Sequence, residues 1–523
     1  MEISRVFYLA CILAPLALMS MAILQAWRGR ASTRRQWHAF QTLACAALVS
    51  ALLAVPIGSG RLAWPGVVQV TPVSLIVALL VQFLGLVVGR FSARYLEGET
   101  GQRRYMMSLA AVLAAVHLLL MADHWLLLIA AWTAVGVALR HLLCFYPERP
   151  FARLAAHKKH SADRVADLLL LLAAALAWRE VGSGSLSALW SHVAQQGMST
   201  PLQASALALV AAVILRSALL PVHGWLIQVM EAPTPVSALL HAGVVNLGGF
   251  VLIRFAPMLN QALPARILLL VFGLTTAVLA GMVMLTRISV KVRLAWSTVA
   301  QMGFMLLECA LGLHTLAAIH LIGHSLYKAH AFLSASGIVR HTRLQAMHDG
   351  AEQPAANLVL PPVLATAIVL MIPKLSGQAA WPWWWSAVLG LAWAPMLWSC
   401  ATATRMAARI RQSMTGPLMV AGLTTAALLM HALPLGLQDA PHAGLGMVAL
   451  AGMAVLYGWL ALLQRQPQSM PGWRRWSYAG FYLDEAATRL ALHAWPARWA
   501  GETDPHADHQ AAASGIRNAP RNR

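Results

Sequence analysis

The chain has 523 residues, of which 59% are hydrophobic and only 11% charged, with a mean hydropathy of +0.65. A soluble domain carries about 25% charged residues, so there is too little charge to cover a water-facing surface of this size, and lipid must face much of it. The net charge of +20 does not indicate nucleic acid, because the basic residues lie in short tracts between apolar runs, the pattern of the positive-inside rule.

A spanning helix needs about 20 mostly apolar residues. In chain order the candidates are Val6–Trp27, Trp37–Val55, Val68–Val88, Met106–Met121, Trp125–Tyr146, Ala162–Trp178, Leu202–Met230 and Pro235–Arg254. Then come Pro264–Thr286, Leu294–Leu311, Thr315–Val339, Val359–Leu375, Trp383–Cys400, Pro417–Leu435 and Gly444–Leu463. The expected fold is an all-α integral membrane protein with about fifteen transmembrane helices. Val6–Trp27 is too long for a signal h-region and lacks a clear cleavage site, so it reads as a first membrane helix. Nearly every second loop is basic: Arg28, Arg30, Arg34 and Arg35; Arg90, Arg94, Arg103 and Arg104; Arg149, Arg153, Lys158 and Lys159. The same side later holds Lys291, Arg293, Arg340, Arg343, Arg405, Arg409 and Arg411. This alternation sets the N-terminus in the periplasm and the C-terminus in the cytoplasm of a bacterial inner membrane. Beyond Leu463 the aromatic, polar stretch suggests an interfacial cytoplasmic helix, and the chain from Gly501 a disordered tail. The cysteines Cys11, Cys45, Cys144, Cys309 and Cys400 lie singly, without metal-ligand or redox spacing.

Two segments are interrupted. Pro221 and Pro373 each remove a backbone hydrogen bond at membrane depth, and a basic residue, Arg216 or Lys374, lies near each. Paired broken helices point to a transporter built from inverted repeats, with its path near the breaks. In Thr315–Val339, His320, His324 and Lys328 recur every four residues, each step turning about 40°, so they form one drifting stripe. A lysine near the bilayer centre costs about 2.5–3.5 kcal/mol and is normally turned inward. Two imidazoles and an amine on one stripe suit stepwise proton transfer. Arg216 holds its proton and serves as a fixed counter-charge, with Asp167 the nearest acidic partner; Arg164 is a local alternative partner for Asp167. His241 is placed to titrate between Arg216 and the stripe. Glu231 reads equally as a path residue or a cytoplasmic cap, Glu308 as an exit residue, and Lys291 as an anchor or path residue. No phosphate loop or catalytic triad stands out.

These residues resemble a known family. The run Met230-Glu231-Ala232-Pro233-Thr234-Pro235-Val236-Ser237-Ala238-Leu239-Leu240-His241-Ala242 is similar to a signature of the proton-translocating subunits of respiratory complex I and of Mrp-type antiporters. Lys291 to Thr298, Gln301-Met302-Gly303 and His320 to Leu333 match as well. The resemblance implies two inverted five-helix repeats with broken helices, each a half-channel, on a polar central axis. It gives His320, His324 and Lys328 the central relay places and His241 the connecting one. The family's Trp-Glu-Gly-Val-Gly motif is here Trp132-Thr133-Ala134-Val135-Gly136, and its paired lysine is Arg216. The first half-channel thus lacks the glutamate–lysine switch, and an Asp167–Arg216 pair stands as its replacement.

With these departures and the stretch Gly243 to Phe250, the chain looks most like the DabB branch, the membrane subunits of two-component DAB inorganic-carbon pumps. That resemblance implies a DabA-type zinc protein as cytoplasmic partner, driven by flow of protons or Na+, with no metal, cofactor or enzyme chemistry in this chain. The alternative is a subunit of a respiratory NADH-quinone oxidoreductase or an Mrp-type Na+/H+ antiporter. The expected divisions are 1–105 (N-terminal helices), 106–255 and 256–412 (two repeats), 413–464 (C-terminal helices) and 465–523 (interfacial helix and tail).

Overall fold

The structure is a computed structural model and describes residues 2–29, 31–56, 64, 66–335, 356–377, 381–398, 406–465 and 471–496. Arg30, Arg340, Arg343, Cys400, Arg405 and the tail from Gly501 lie outside the described residues, as do the side chains of Arg409 and Arg411. The described chain is helical: α1 (Glu2–Arg28), α2 (Thr33–Ala54), α3 (Pro72–Tyr95), α4 (Gln102–Met121), α5 (Trp125–Leu143), α6 (Pro150–Val181), α7 (Leu186–Gln196) and α8 (Thr200–Arg216). It continues through α9 (Gly224–Ile227), α10 (Thr234–Ala242), α11 (Leu247–Arg254), α12 (Ala256–Leu259), α13 (Leu263–Leu285), α14 (Val290–Leu311) and α15 (His314–Leu333). Ala356–Leu375, Trp383–Trp393, Met406–His431, Ala443–Arg465, Pro471–Tyr478 and Leu483–Ala494 complete it. Among the described residues there is no named strand, only isolated bridges such as His124 with Ser185 that tie loops at one end of the bundle.

Among the described residues eleven spans are long and apolar enough to cross a membrane. The expected segments missing from that set are instructive. α6 and α15 carry ionisable side chains, α8 stops after 17 residues, and Trp383–Trp393 has 11. The multi-pass membrane character is plain from the remainder. Leu168, Leu171, Leu172, Ile267 and Val271 stand exposed on the outer faces of α6 and α13, where lipid satisfies them.

Local sequence sets the helix ends. Thr71 caps α3 by accepting from the Ser74 amide at 3.1 Å, while Ser74 Oγ accepts from the Thr71 amide at 2.8 Å. α6 starts on Pro150 and ends at Gly182, whose φ of +73° closes the last turn. At 32 residues it is about 48 Å long, well beyond the roughly 30 Å of a bilayer core. It begins twelve residues before the Ala162 expected from hydropathy, because Arg153, His157, Lys158 and Lys159 lower hydropathy without opposing a helix. Lys158 and Lys159, expected in a cytoplasmic loop, are therefore buried inside a helix.

α8 stops at Arg216, and the chain turns through a cis Leu220–Pro221 bond before α9. The amide of Leu220, freed from the helix, donates to Thr276 Oγ1 of α13 at 3.2 Å. The span Thr234–Arg254 is the most enclosed of the candidate spans and is itself bent between α10 and α11 at Gly243–Asn246. α13 and α14 approach closely because Gly273 faces Gly303. A Cβ on Gly303 would sit 2.7 Å from both the Ala277 nitrogen and the Gly273 carbonyl oxygen, and those backbone atoms have nowhere to go. Gly303→Ala is therefore expected to destabilise the purified protein by about 1–3 kcal/mol, lowering its melting temperature in detergent, whereas Gly458→Ala, with nothing within 4 Å, leaves it unchanged.

Candidate functional site

The polar interior forms two clusters. The first is built on α15, whose outer face shows Leu326 and Tyr327 while His324, Ser325 and Lys328 turn inward. Lys328 is 1% exposed. Its ammonium donates to the Leu294 carbonyl oxygen at 3.0 Å and to the Ser297 hydroxyl, both on α14. No carboxylate pairs with it among the described residues. One turn back, the His324 ring lies 6.1 Å from that of His320, at 76°. His320 contacts Glu308 through Nδ1 at 2.9 Å and Gln301 through Nε2 at 2.7 Å. From α10, His241 stacks on Phe332 with ring centroids 4.4 Å apart. Neither ring nitrogen of His241 or His324 meets a hydrogen-bonding side chain or carbonyl among the described residues. Asn246, at the bend, joins this cluster by donating to Ser325 Oγ at 2.8 Å. A row thus runs Glu308, His320, His324, Lys328, with His241 beside it.

The second cluster sits where α8 stops. Arg216 donates to the Trp132 carbonyl at 2.9 Å, pairs with Asp167 and lies 4.0 Å from Asp163. Its guanidinium is 4.7 Å from the centre of the Trp132 ring. Thr133 donates to Asp167 Oδ1 at 2.9 Å. Asp163 pairs in turn with Lys159, one turn earlier on the same helix, and Lys159 lies over the ring of Trp225. Arg164 points to the exposed side of α6 and takes no part in the Asp167 pair.

The remaining candidates lie outside these rows. Glu231 pairs with Arg149 at 3.8 Å, both side chains more than a third exposed. Lys291 donates to Thr234 Oγ1 at 2.8 Å, beside Tyr95. Lys374 is exposed at the end of its helix. Among the described residues no group of three or more His, Cys, Asp or Glu is arranged to hold a metal ion.

The sequence pattern described as NADH:quinone oxidoreductase/Mrp antiporter, TM, matches residues 122–410. The chain belongs to this family. It is 38% identical over 445 residues to a probable inorganic carbon transporter subunit DabB of Hydrogenovibrio crunogenus, covering 82% of this chain and 84% of that one. It is 42% identical over 361 residues to a probable inorganic carbon transporter subunit DabB2 of Halothiobacillus neapolitanus, covering 65% of each chain. Within the antiporter family the chain falls in the DabB branch. In fold it matches a chain of the Mrp complex from Dietzia, with a TM-score of 0.59 and 22% identity, over 98% of this chain and 63% of that one.

Sequence reasoning missed Ser297, Gln301, Asn246, Lys159 and Asp163. The Lys159–Asp163 spacing of four on one helix was a usable signal; the others are ordinary polar residues until folding sets them beside a charge. Removing one partner of a buried pair costs about 3–5 kcal/mol. With Asp163 still near Arg216, Asp167→Asn is expected to cost about 3 kcal/mol in denaturant unfolding in micelles. The apolar double variant Asp167→Leu/Arg216→Met is expected to cost less than that single change.

Proposed function

We propose that this chain is the proton-conducting membrane subunit of an inorganic-carbon pump. In this reading it couples an ion gradient to CO2 or bicarbonate uptake by a DabA-type zinc protein on the cytoplasmic side. The observation that carries it is the row Glu308–His320–His324–Lys328: titratable groups in succession, in which His324, like His241 beside the row, keeps both ring nitrogens unpaired. Stepwise transfer requires groups that can both accept and release a proton near neutral pH, and histidine and a desolvated lysine are such groups. His241 would link this row to the first half. Arg216 does not release its proton, so the first half acts as a fixed charge that shapes the field. Glu231, Lys291 and Lys374 would be secondary, at the ends of the path.

The arrangement expected is two inverted five-helix repeats, 106–255 and 256–412, among about fifteen membrane helices. The N-terminus would be periplasmic and the C-terminus cytoplasmic in a bacterial inner membrane. The zinc and the carbonic-anhydrase-like chemistry would belong to the partner, leaving this chain without cofactor or catalysis. The names of its relatives as probable inorganic carbon transporter subunits support this choice. The fold shared with an Mrp complex chain favours a second reading, a subunit exchanging Na+ and H+ or serving a respiratory complex.

Co-expression with a DabA-type partner is expected to restore growth in air to cells lacking carbonic anhydrase. Lys328→Ala should reduce that growth at least tenfold with the complex still assembled. Full growth with Lys328→Ala would remove the central row from the mechanism. Sodium-dependent proton exchange without any rescue would select the second reading.

A further inference from the structure

After Ala443–Arg465 come two short helices, Pro471–Tyr478 and Leu483–Ala494, joined through a turn at Gly480–Tyr482. This C-terminal segment is fastened to the bundle at several points. Trp473 packs on Trp459 of the preceding helix with ring centroids 5.1 Å apart, and on Phe481 of the turn at 5.3 Å. Arg287, in the turn between α13 and α14, lies 5.6 Å from the centre of the Tyr478 ring. Asp484 pairs with Lys158 of α6 beside Gly224, the first residue of α9, where an added Cβ would overlap both the carboxylate and the ammonium. A ring nitrogen of His157 meets the Trp495 carbonyl at 3.0 Å.

Between this segment and the bundle lies a cavity of about 650 Å³, within the roughly 300–1,000 Å³ of small-molecule sites. Its floor is apolar. Met282 and Leu285 come from the last turn of α13 and Leu463 from the last turn of Ala443–Arg465, two helices long and apolar enough to cross a membrane. Its rim is polar and comes from Pro471–Tyr478, which supplies Arg474 and Arg475, both exposed, and Ser477. Ser477 is only 4% exposed, and its hydroxyl meets no hydrogen-bonding group among the described residues. A buried hydroxyl left without a partner is costly, so an oxygen entering the cavity beside it is favoured. Among the described residues no carboxylate lines the cavity. Of the two acidic residues that follow on the segment, Asp484 is taken by Lys158 and Glu485 lies near Arg287.

We propose that this cavity binds an anionic phospholipid. The phosphodiester is held by Arg474, Arg475 and the Ser477 hydroxyl, and the acyl chains lie on Met282, Leu285 and Leu463. Guanidinium groups and a hydroxyl are a donor set suited to phosphate oxygens, and basic pockets at the ends of membrane helices take such headgroups. The aromatic rings of Trp473, Tyr478 and Tyr482, all exposed, mark the level of the membrane interface. A free phosphate would use the rim and leave the apolar floor uncovered. A soluble partner protein would meet the charged rim, but the floor belongs to the spanning helices and lies below it. Only a lipid matches both parts at once. The site rests on the membrane character of the chain and on neither the ion conducted nor the reaction driven.

The test uses the full chain, purified in a neutral detergent and stripped of lipid, with binding counted by native mass spectrometry. Dioleoyl-phosphatidylglycerol, dioleoyl-phosphatidylcholine and inorganic phosphate are titrated in turn. Phosphatidylglycerol is expected to bind at least tenfold tighter than either of the others. Arg474→Gln/Arg475→Gln is expected to weaken that binding at least tenfold and Ser477→Ala at least threefold. Arg34→Gln/Arg35→Gln, which removes two equally exposed charges at the start of α2, is expected to leave it within twofold of wild type. Equal binding of the two lipids overturns the proposal, as does phosphatidylglycerol binding that survives the Arg474 and Arg475 changes. Inorganic phosphate bound as tightly as the lipid gives the site to a free anion and overturns it. So does a co-purifying protein lost from Arg474→Gln/Arg475→Gln while lipid binding is unchanged, which gives the rim to a partner.

Discussion

A charge held at membrane depth has no water to turn to, so the protein must answer it, and this bundle is organised around that demand. Arg216 is met by a carbonyl from α5 and carboxylates from α6, with an aromatic ring above it. To bring those groups together α8 has to end at that residue, α6 has to extend far enough for Asp163 and Asp167 to face it, and α5 has to offer a carbonyl sideways. The break after Arg216 creates its own liability, a freed backbone amide, and Thr276 of α13 satisfies it. Each of these choices constrains the next helix.

The two clusters answer their charges differently, and the difference bears on function. The Arg216 cluster is a ladder of opposite charges, Lys159–Asp163–Arg216–Asp167, in which each full charge meets another. The α15 cluster holds Lys328 with a carbonyl and a hydroxyl, and leaves the imidazoles of His241 and His324 unpaired. Dipoles answer an ammonium less strongly than a carboxylate does, so the charge of Lys328 is held less firmly than that of Arg216. A locked electrostatic half beside an exchangeable half is consistent with a subunit that conducts and responds, and less so with a pair of equivalent pumping modules.

Close packing supplies the rigidity that such pairs need. Gly273 and Gly303 let α13 and α14 approach until backbone meets backbone, which fixes Ser297 and the Leu294 carbonyl opposite Lys328. Gly224 does the same at the other end, where a side chain would separate Lys158 from Asp484. In both places a missing Cβ sets the distance between charged partners.

The sequence alone determined that the chain is a helical membrane protein, because a low fraction of charge and long apolar runs admit little else. It also picked out the stripe His320, His324 and Lys328 and the charge of Arg216, since a charge in an apolar run stands out by its cost. Hydropathy failed where charge and burial coincide: Lys158 and Lys159 looked like loop residues because their windows are polar, yet they lie inside a long helix. Only the tertiary structure decided which partners answer which charges. Asp163, Ser297, Asn246 and above all Asp484, 326 residues from Lys158, gain their roles from the approach of helices distant in sequence. The physical reason is that insertion cost is a local property of a segment, whereas the neutralisation of a buried charge belongs to the whole bundle.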